Sequence, residues 1–509
     1  MSYTAKSPAV RVQERITLRA VLAVLSRGEA PERAPAKDRG SSPPPTDRGS
    51  TRTHARRAQG SADALLRTKE SRGREGIALV LAMTAVAVLG VMLADMHEST
   101  STSFVVATNQ RDTLRAEFLA KSSLDLTRML VMREPAMRAT IAPIYQLLVH
   151  RPPPQLPVWT FADELLGPFC NPDAGSGGLD AAGIDSAAVE GLGDIGGTCS
   201  VVAVAENSKI NVNDPLNLDA TAARQSMSMQ MFAMVGGYQS PSSYDPLFER
   251  RDNEGQFNTR LDVISALADW WDTDQERTQF DPGAATVTSG GGEDEIYRRY
   301  HDPYVIKNAP FDSLEEVRLV RGVTDDFWAT FVQPDPENIR SERMTIYGSG
   351  AVNPNEAPPE VILSRLCSFR GVTEQPLCSD PLEAMKFIQL LRQARAIFPI
   401  PFFTRSSDLM NFVEGRGGPE DLYPLLLGVV GQQSPLIFRP ITIPADQRGA
   451  VDGAFVTAAR ILTIRGEGQV GRARVRIRSV VNFHDRWTPP PPNSGSMPAL
   501  GIFHYYRID

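Results

Sequence analysis

Ile77-Ala-Leu-Val-Leu-Ala-Met-Thr-Ala-Val-Ala-Val-Leu-Gly-Val-Met-Leu-Ala94, followed at once by Asp95, decides the fold. This run carries no charge, and Thr84 is its only polar side chain. As a helix it spans about 27 Å, the thickness of a bilayer core. Its left flank is Arg72-Gly73-Arg74-Glu75-Gly76, and its right flank is polar and free of Pro and Gly until Pro135. The sequence therefore predicts one helix over 77–134, about 87 Å long, with residues 77–94 as the transmembrane part. Beyond the apolar run, Leu119, Ser123, Leu126 and Leu130 fall on one helical face. A basic-then-apolar order also suits an ordinary signal anchor or a secretory signal, but neither of those needs the long helix beyond it.

The chain has 509 residues, 42% hydrophobic and 22% charged, a globular composition with room for several domains. Its formal charge of -7 does not point to nucleic acid. Residues 1–76 hold 16 Lys and Arg against 8 Asp and Glu, which leaves -15 for the rest. A basic leader ahead of an acidic body fits a leader held on the cytoplasmic side and a body on the other. The leader is Pro-rich, with one short apolar patch, so disorder is expected there. The four cysteines form two locally spaced pairs, Cys170 with Cys199 and Cys367 with Cys378. Each pair is a disulfide candidate if the body is exported, and a pair of reduced thiols if it is not.

Further along, Cys199 to Glu206 alternates apolar residues as a strand does and leads into Lys209-Ile210-Asn211-Val212-Asn213. A helical block is expected from about Ala220 to Arg370, where Met227, Met231 and Met234 read as core. Within it come Asp269-Trp-Trp-Asp272-Thr-Asp274-Gln-Glu276, a Gly-rich TVTSGGG tract, and Glu293-Asp294-Glu295 ahead of Tyr297. Pro303-Tyr304-Val-Ile-Lys-Asn308-Ala-Pro310 follows, then a helix-hairpin-helix-like unit around Gly322 and the phrase Ala351-Val-Asn353-Pro-Asn355-Glu-Ala-Pro-Pro. Two strands are expected near the end, Thr457 to Arg465 and Gly471 to Phe483, joined by Gly466-Glu-Gly468. The second strand alternates Arg472, Arg474, Arg476 and Arg478 with smaller side chains, one wet face against one packed face. The tail from 488 is expected to leave the sheet.

Five of these phrases in this order, behind an apolar helix preceded by Gly76, resemble the large minor pseudopilin K of type II secretion systems. The resemblance runs from Gly76 to about Asn482. It implies an α+β fold in which a long N-terminal pilin helix packs on an antiparallel sheet and carries a large inserted helical domain with helix-hairpin-helix-like units. The implied domains are a removable leader (1–76), the pilin helix (77–134), a sheet domain (135–218 with 440–487), a helical insertion (219–439) and a tail (488–509). It also implies cutting by a prepilin peptidase between Gly76 and Ile77. Most pseudopilins carry Glu at mature position 5, where it is thought to meet the amino terminus of the next subunit up; here that position is Leu81, as in the K subunit. The implied role is structural: the tip of a periplasmic pseudopilus, anchored by a single pass in the bacterial inner membrane, with other minor pseudopilins as partners. Calcium is the implied metal, held by Asp272, Asp274, Glu293 and Asp294, with Glu276 and Asn308 as weaker candidates. Hard oxygen ligands on loops independently favour calcium over zinc.

Two other classes compete with this reading. One is a type IV minor pilin-like tip protein. The other is a membrane-tethered DNA-binding protein whose helix-hairpin-helix loops grip phosphates, but Asp325 and Asp326 stand beside the Arg321-Gly322-Val323 turn. No HExxH, GxSxG or Walker-type loop occurs, and an enzyme is not expected. Replacing Gly76 with a bulky residue should leave full-length precursor in the envelope, read by mass spectrometry; a wild-type protein that keeps residues 1–76 beside an active peptidase would contradict the cleavage site.

Overall fold

A computed structural model describes residues 75–149, 152–164, 196–213, 220–237, 244–248, 251, 255–284, 286–397, 401–417, 422–430, 437–483 and 500–509. The expected leader disorder falls outside these residues, as does Cys170. The chain divides into two compact units at Arg111/Asp112, and each is described by itself.

In the first unit the described residues are all helical and belong to α1 (Glu75–Val149). Leu79, Leu81, Met83, Val86, Leu89 and Met92 are exposed around its circumference, and the helix is long and apolar enough to cross a membrane. The Thr84 hydroxyl donates to the Leu81 carbonyl at 3.0 Å, so the one polar side chain of the run is satisfied within its own helix.

The second unit begins on the same helix. Ala116, Leu119, Ala120, Ser123, Leu124, Thr127, Val131 and Glu134 are buried, at the spacing of one helical face. The helix does not stop at Pro135 as expected; it runs on to Val149 with Pro135 and Pro143 inside it. Packing offsets the missing hydrogen bonds, because Val131 and Met137 sit in the sheet core and the buried Glu134 carboxylate accepts the Leu156 N–H at 2.9 Å.

The face of α1 lies on a sheet ordered β1 (Thr198–Ala205), β6 (Ile461–Val470), β7 (Ala473–Asn482) and β8 (Ile502–Ile508), antiparallel throughout. Two differences from the sequence reading stand out. Gly466 and Gly468 are not a turn but the middle of β6, and the true turn is Gly471-Arg472. They are glycine because the helix touches the strand: a Cβ at Gly468 would sit 2.0 Å from the Ala116 carbonyl oxygen, and one at Gly466 2.7 Å from that of Ala120. The tail also returns as β8, whose Ile508 pairs with Ile477 and Ile502 with Asn482. Arg128 of α1 fastens it, donating to the Leu500 carbonyl at 2.8 Å and lying over the Phe503 ring.

Between β1 and β6 runs the helical region, so the expected α+β architecture is the one observed. Its core gathers α2 (Ala220–Met234), α3 (Arg260–Trp271), α4 (Pro359–Leu366), α5 (Pro381–Ile397) and α6 (Ser406–Val413) around Phe387, Phe403, Phe412 and Phe438. Two short pieces, β2 (Ile210–Asn211) and β5 (Met344–Thr345), pair in parallel. The expected flexible TVTSGGG tract is a strand, β4 (Thr286–Gly292), paired antiparallel with β3 (Glu276–Asp281).

Gly468→Val should lower stability by about 3 kcal/mol or more, because backbone atoms of α1 cannot yield as a side chain would. Gln469→Val, one residue on and exposed, should stay within about 0.5 kcal/mol of wild type. Thermal unfolding of the detergent-solubilised protein compares the two, and equal losses would contradict the packing account.

Candidate metal centre

The site is built at the end of α3. A capping box starts this helix: the Thr259 hydroxyl accepts the Asp262 N–H while Asp262 accepts the Thr259 N–H. The helix ends where Asp272 turns to extended backbone, at φ -73° and ψ 173°. Asp269 lies in the last turn and Asp272 at the C-cap, so two carboxylates stand at the negative end of the helix dipole, where folding alone favours cations.

The hairpin supplies the third carboxylate. Pairing of Glu276 with Gly292 carries the chain back to its starting point, and Glu293 then begins a single helical turn, Asp294–Tyr297. Gly291, at φ +85°, makes the approach. Oxygens of Asp269, Asp272 and Glu293 lie within 4.8 Å of one another, and all three residues are buried, at 3%, 2% and 4% exposure.

Electrostatics follow from that crowding. Burial, then the neighbouring carboxylates, pushes Glu293 up to about 8. Burial and the charge of Asp274 raise Asp272 to about 7, against the pull of Arg224. Burial takes Asp269 to about 6, even though its carboxylate accepts the Thr278 N–H at 2.7 Å. Asp272 Oδ1, Glu293 Oε1 and Asn308 Oδ1 are buried without a hydrogen-bond partner. Each such orphan costs about 1–3 kcal/mol or more for a charged group, so the geometry asks for a bound cation.

The other sequence-derived candidates are placed differently. Asp274 Oδ2 takes Arg224 at 3.0 Å and its Oδ1 accepts the Glu276 N–H at 2.8 Å. Its carbonyl accepts the Asn308 amide at 2.6 Å, which holds Asn308 at φ 49°. Asp294 accepts the Ile306 N–H at 3.0 Å and pairs with Arg298. The Glu276 side chain is exposed. Asp269, which sequence reading passed over as part of the helix, completes the cluster; its signal was the i, i+3 spacing to Asp272 at a helix end. An all-oxygen donor set of three carboxylates suits a hard cation such as Ca²⁺ and not Zn²⁺.

The remaining sequence-derived positions are simple. Cys367 and Cys378 form a disulfide with 5.6 Å between Cα atoms, and Cys199 is also disulfide-bonded. Gly76 lies in the first turn of α1, while Ile77 and Leu81 are exposed along it.

The chain matches no protein-family model and no curated protein. Among solved structures it is similar to the GspK-GspI-GspJ complex of the enterotoxigenic Escherichia coli type 2 secretion system, at 13% identity and a TM-score of 0.33. That match covers 62% of this chain and 80% of the other.

The raised carboxyl groups set a pH dependence. In chelator the folded protein keeps protons on Asp269, Asp272 and Glu293 that the unfolded chain releases near its ordinary values of about 4. The native state then binds more protons, so stability should fall as pH rises from about 5 to about 8 and level off above. The midpoint of thermal unfolding should drop by several degrees across that window, and Asp269→Asn with Glu293→Gln should flatten the slope. A wild-type midpoint that climbs instead would refute the account.

Proposed function

We propose that this chain is a minor pseudopilin at the tip of a type II secretion pseudopilus, with a structural role in pseudopilus assembly and protein export. The observation that carries the reading is the helix Glu75–Val149, whose first part is membrane-length and apolar and whose later part packs on a four-stranded sheet. In this reading the inner membrane holds residues 77–94, the body lies in the periplasm, and a prepilin peptidase removes the leader after Gly76.

Leu81 supports the tip position. A Glu there serves to neutralise the amino terminus of a neighbouring subunit, and a subunit at the top has no neighbour above to serve. The partners are then smaller minor pseudopilins, joined chiefly along α1. Calcium is the proposed metal, held by Asp269, Asp272 and Glu293 with Asn308 beside them; when bound it supplies the positive charge these oxygens lack. The carboxylates of α3 and of the β3–β4 hairpin would then be tied together, raising stability by mass action.

The hairpin that suggested DNA supports packing instead. Arg321 is 7% exposed and its guanidinium reaches the Asp262 carbonyl at 3.4 Å, while Arg318 is paired with Asp325. Arg321 is thus turned inward, and Arg318, 46% exposed, has an acidic partner beside it.

In cells expressing the whole secretion system, detergent extracts should yield this protein together with other pilin-like subunits, and Leu81→Glu should leave that association intact. Purification of the chain free of any pilin-like partner would overturn the tip assignment.

A further inference from the structure

Beside the three clustered carboxylates lies a positive charge that the fold itself provides. Arg224, on α2, is 7% exposed. Its Nη1 donates to Asp272 Oδ2 at 2.8 Å and to Asp274 Oδ2 at 3.0 Å, and stands 3.5 Å from Thr278 Oγ1. One nitrogen thus bridges two carboxylates, while Nε of the same guanidinium is buried without a partner. An arginine placed only to hold a carboxylate uses its planar fork in parallel bonds. This one does not, and the pairing leaves Asp272 Oδ1 and Glu293 Oε1 unmet.

We propose that Arg224 is a tethered counter-ion that competes with the bound cation for Asp272 and thereby sets the affinity of the site. The inference rests on the cation reading given above and goes beyond it. Asp269, Asp272, Asp274 and Glu293 are four carboxylates; Arg224 is bonded to two of them, while the charges of Arg321 and Arg277 act on Asp269. Without a cation, Arg224 offsets part of their repulsion and keeps the end of α3 folded. With a cation on the free oxygens, Arg224 becomes a like charge across a shared carboxylate. The two effects are one coupling seen from both sides: what steadies the empty site weakens the filled one. A residue that merely positioned Asp272 would act the opposite way, since its loss would weaken cation binding.

The test uses full-length protein in detergent, stripped with chelator and titrated with CaCl₂, with thermal unfolding as the readout. Arg224→Met should melt below wild type in chelator, yet reach half of its calcium-induced rise at about tenfold lower calcium or less. Should Arg224→Met unfold in both buffers, Arg224→Gln decides, because glutamine still donates to Asp272 and carries no charge; a shift of half-saturation to lower calcium is again expected. If wild type responds to calcium and the variants respond at equal or higher concentration, the inference fails while the cation reading stands. If only the variants respond, Arg224 is itself the resident cation and the reading of a calcium-loaded wild type fails. If no form responds, both fall.

Discussion

Everything between β1 and β6 must leave and re-enter the sheet at one place, because Ala205 and Leu462 are paired neighbours. A charged knot closes this neck. Lys209 donates to Glu206 at 2.8 Å and to Glu342 at 2.9 Å, with all three side chains almost wholly buried. Arg478 of β7 adds a bond to Glu342 at 3.0 Å, and the Thr463 hydroxyl of β6 donates to Glu206 at 2.5 Å. Asn207 and Asn353 complete it, the Asn207 side-chain amide donating to the Ala458 carbonyl and the Asn353 backbone N–H to the Asn207 carbonyl. Closing so long a loop costs conformational entropy that grows only slowly with length, so a few buried bonds suffice. Removing one member of such a knot costs about 3–5 kcal/mol, because the others are left buried and uncompensated.

The neck and the carboxylate cluster at the end of α3 are two answers to the same electrostatic problem. At the neck, burial pushes Glu206 up, but Lys209 and the hydroxyls of Thr345 and Thr463 outweigh it, and the carboxyl lies below its ordinary range. Burial likewise lowers Lys209, yet Glu206 and Glu342 more than restore its charge. At the end of α3 the balance goes the other way, and all three carboxyl groups lie above theirs. The difference is one of supply. The neck has a lysine with three donors among its acceptors, whereas of Asp269, Asp272 and Glu293 only Asp272 is bonded to a guanidinium and Asp269 accepts a single backbone N–H.

The sequence revealed most where composition and period agree. The apolar run of α1 needed only counting, and alternation exposed β1 and β7. Less visible were features decided by distant contacts. Gly466 and Gly468 read as a turn because glycine usually marks one, yet they are flat strand residues shaped by a helix more than three hundred residues away in sequence. Pro135 read as a helix end because its cost is local, while the buried Glu134 and Val131 that offset it are tertiary. Prolines before residue 499 hid β8, although Ile-Phe-His-Tyr-Tyr-Arg-Ile is rich in strand formers. In the site, Asp272 and Glu293 were legible as acids near loops; Asp269 was not, since it sat inside a helix whose end only the fold reveals.

Because the chain departs after Ala205 and returns before Leu462 into adjacent antiparallel strands, the helical region occupies the position of a hairpin turn. The strands β1, β6, β7 and β8 themselves form a plain antiparallel meander, so the sheet's register is set without any residue of the helical region. The carboxylate cluster, the Cys367–Cys378 bridge and the aromatic core all lie inside this one excursion, while the α1–sheet contact at Gly466 and Gly468 lies wholly outside it.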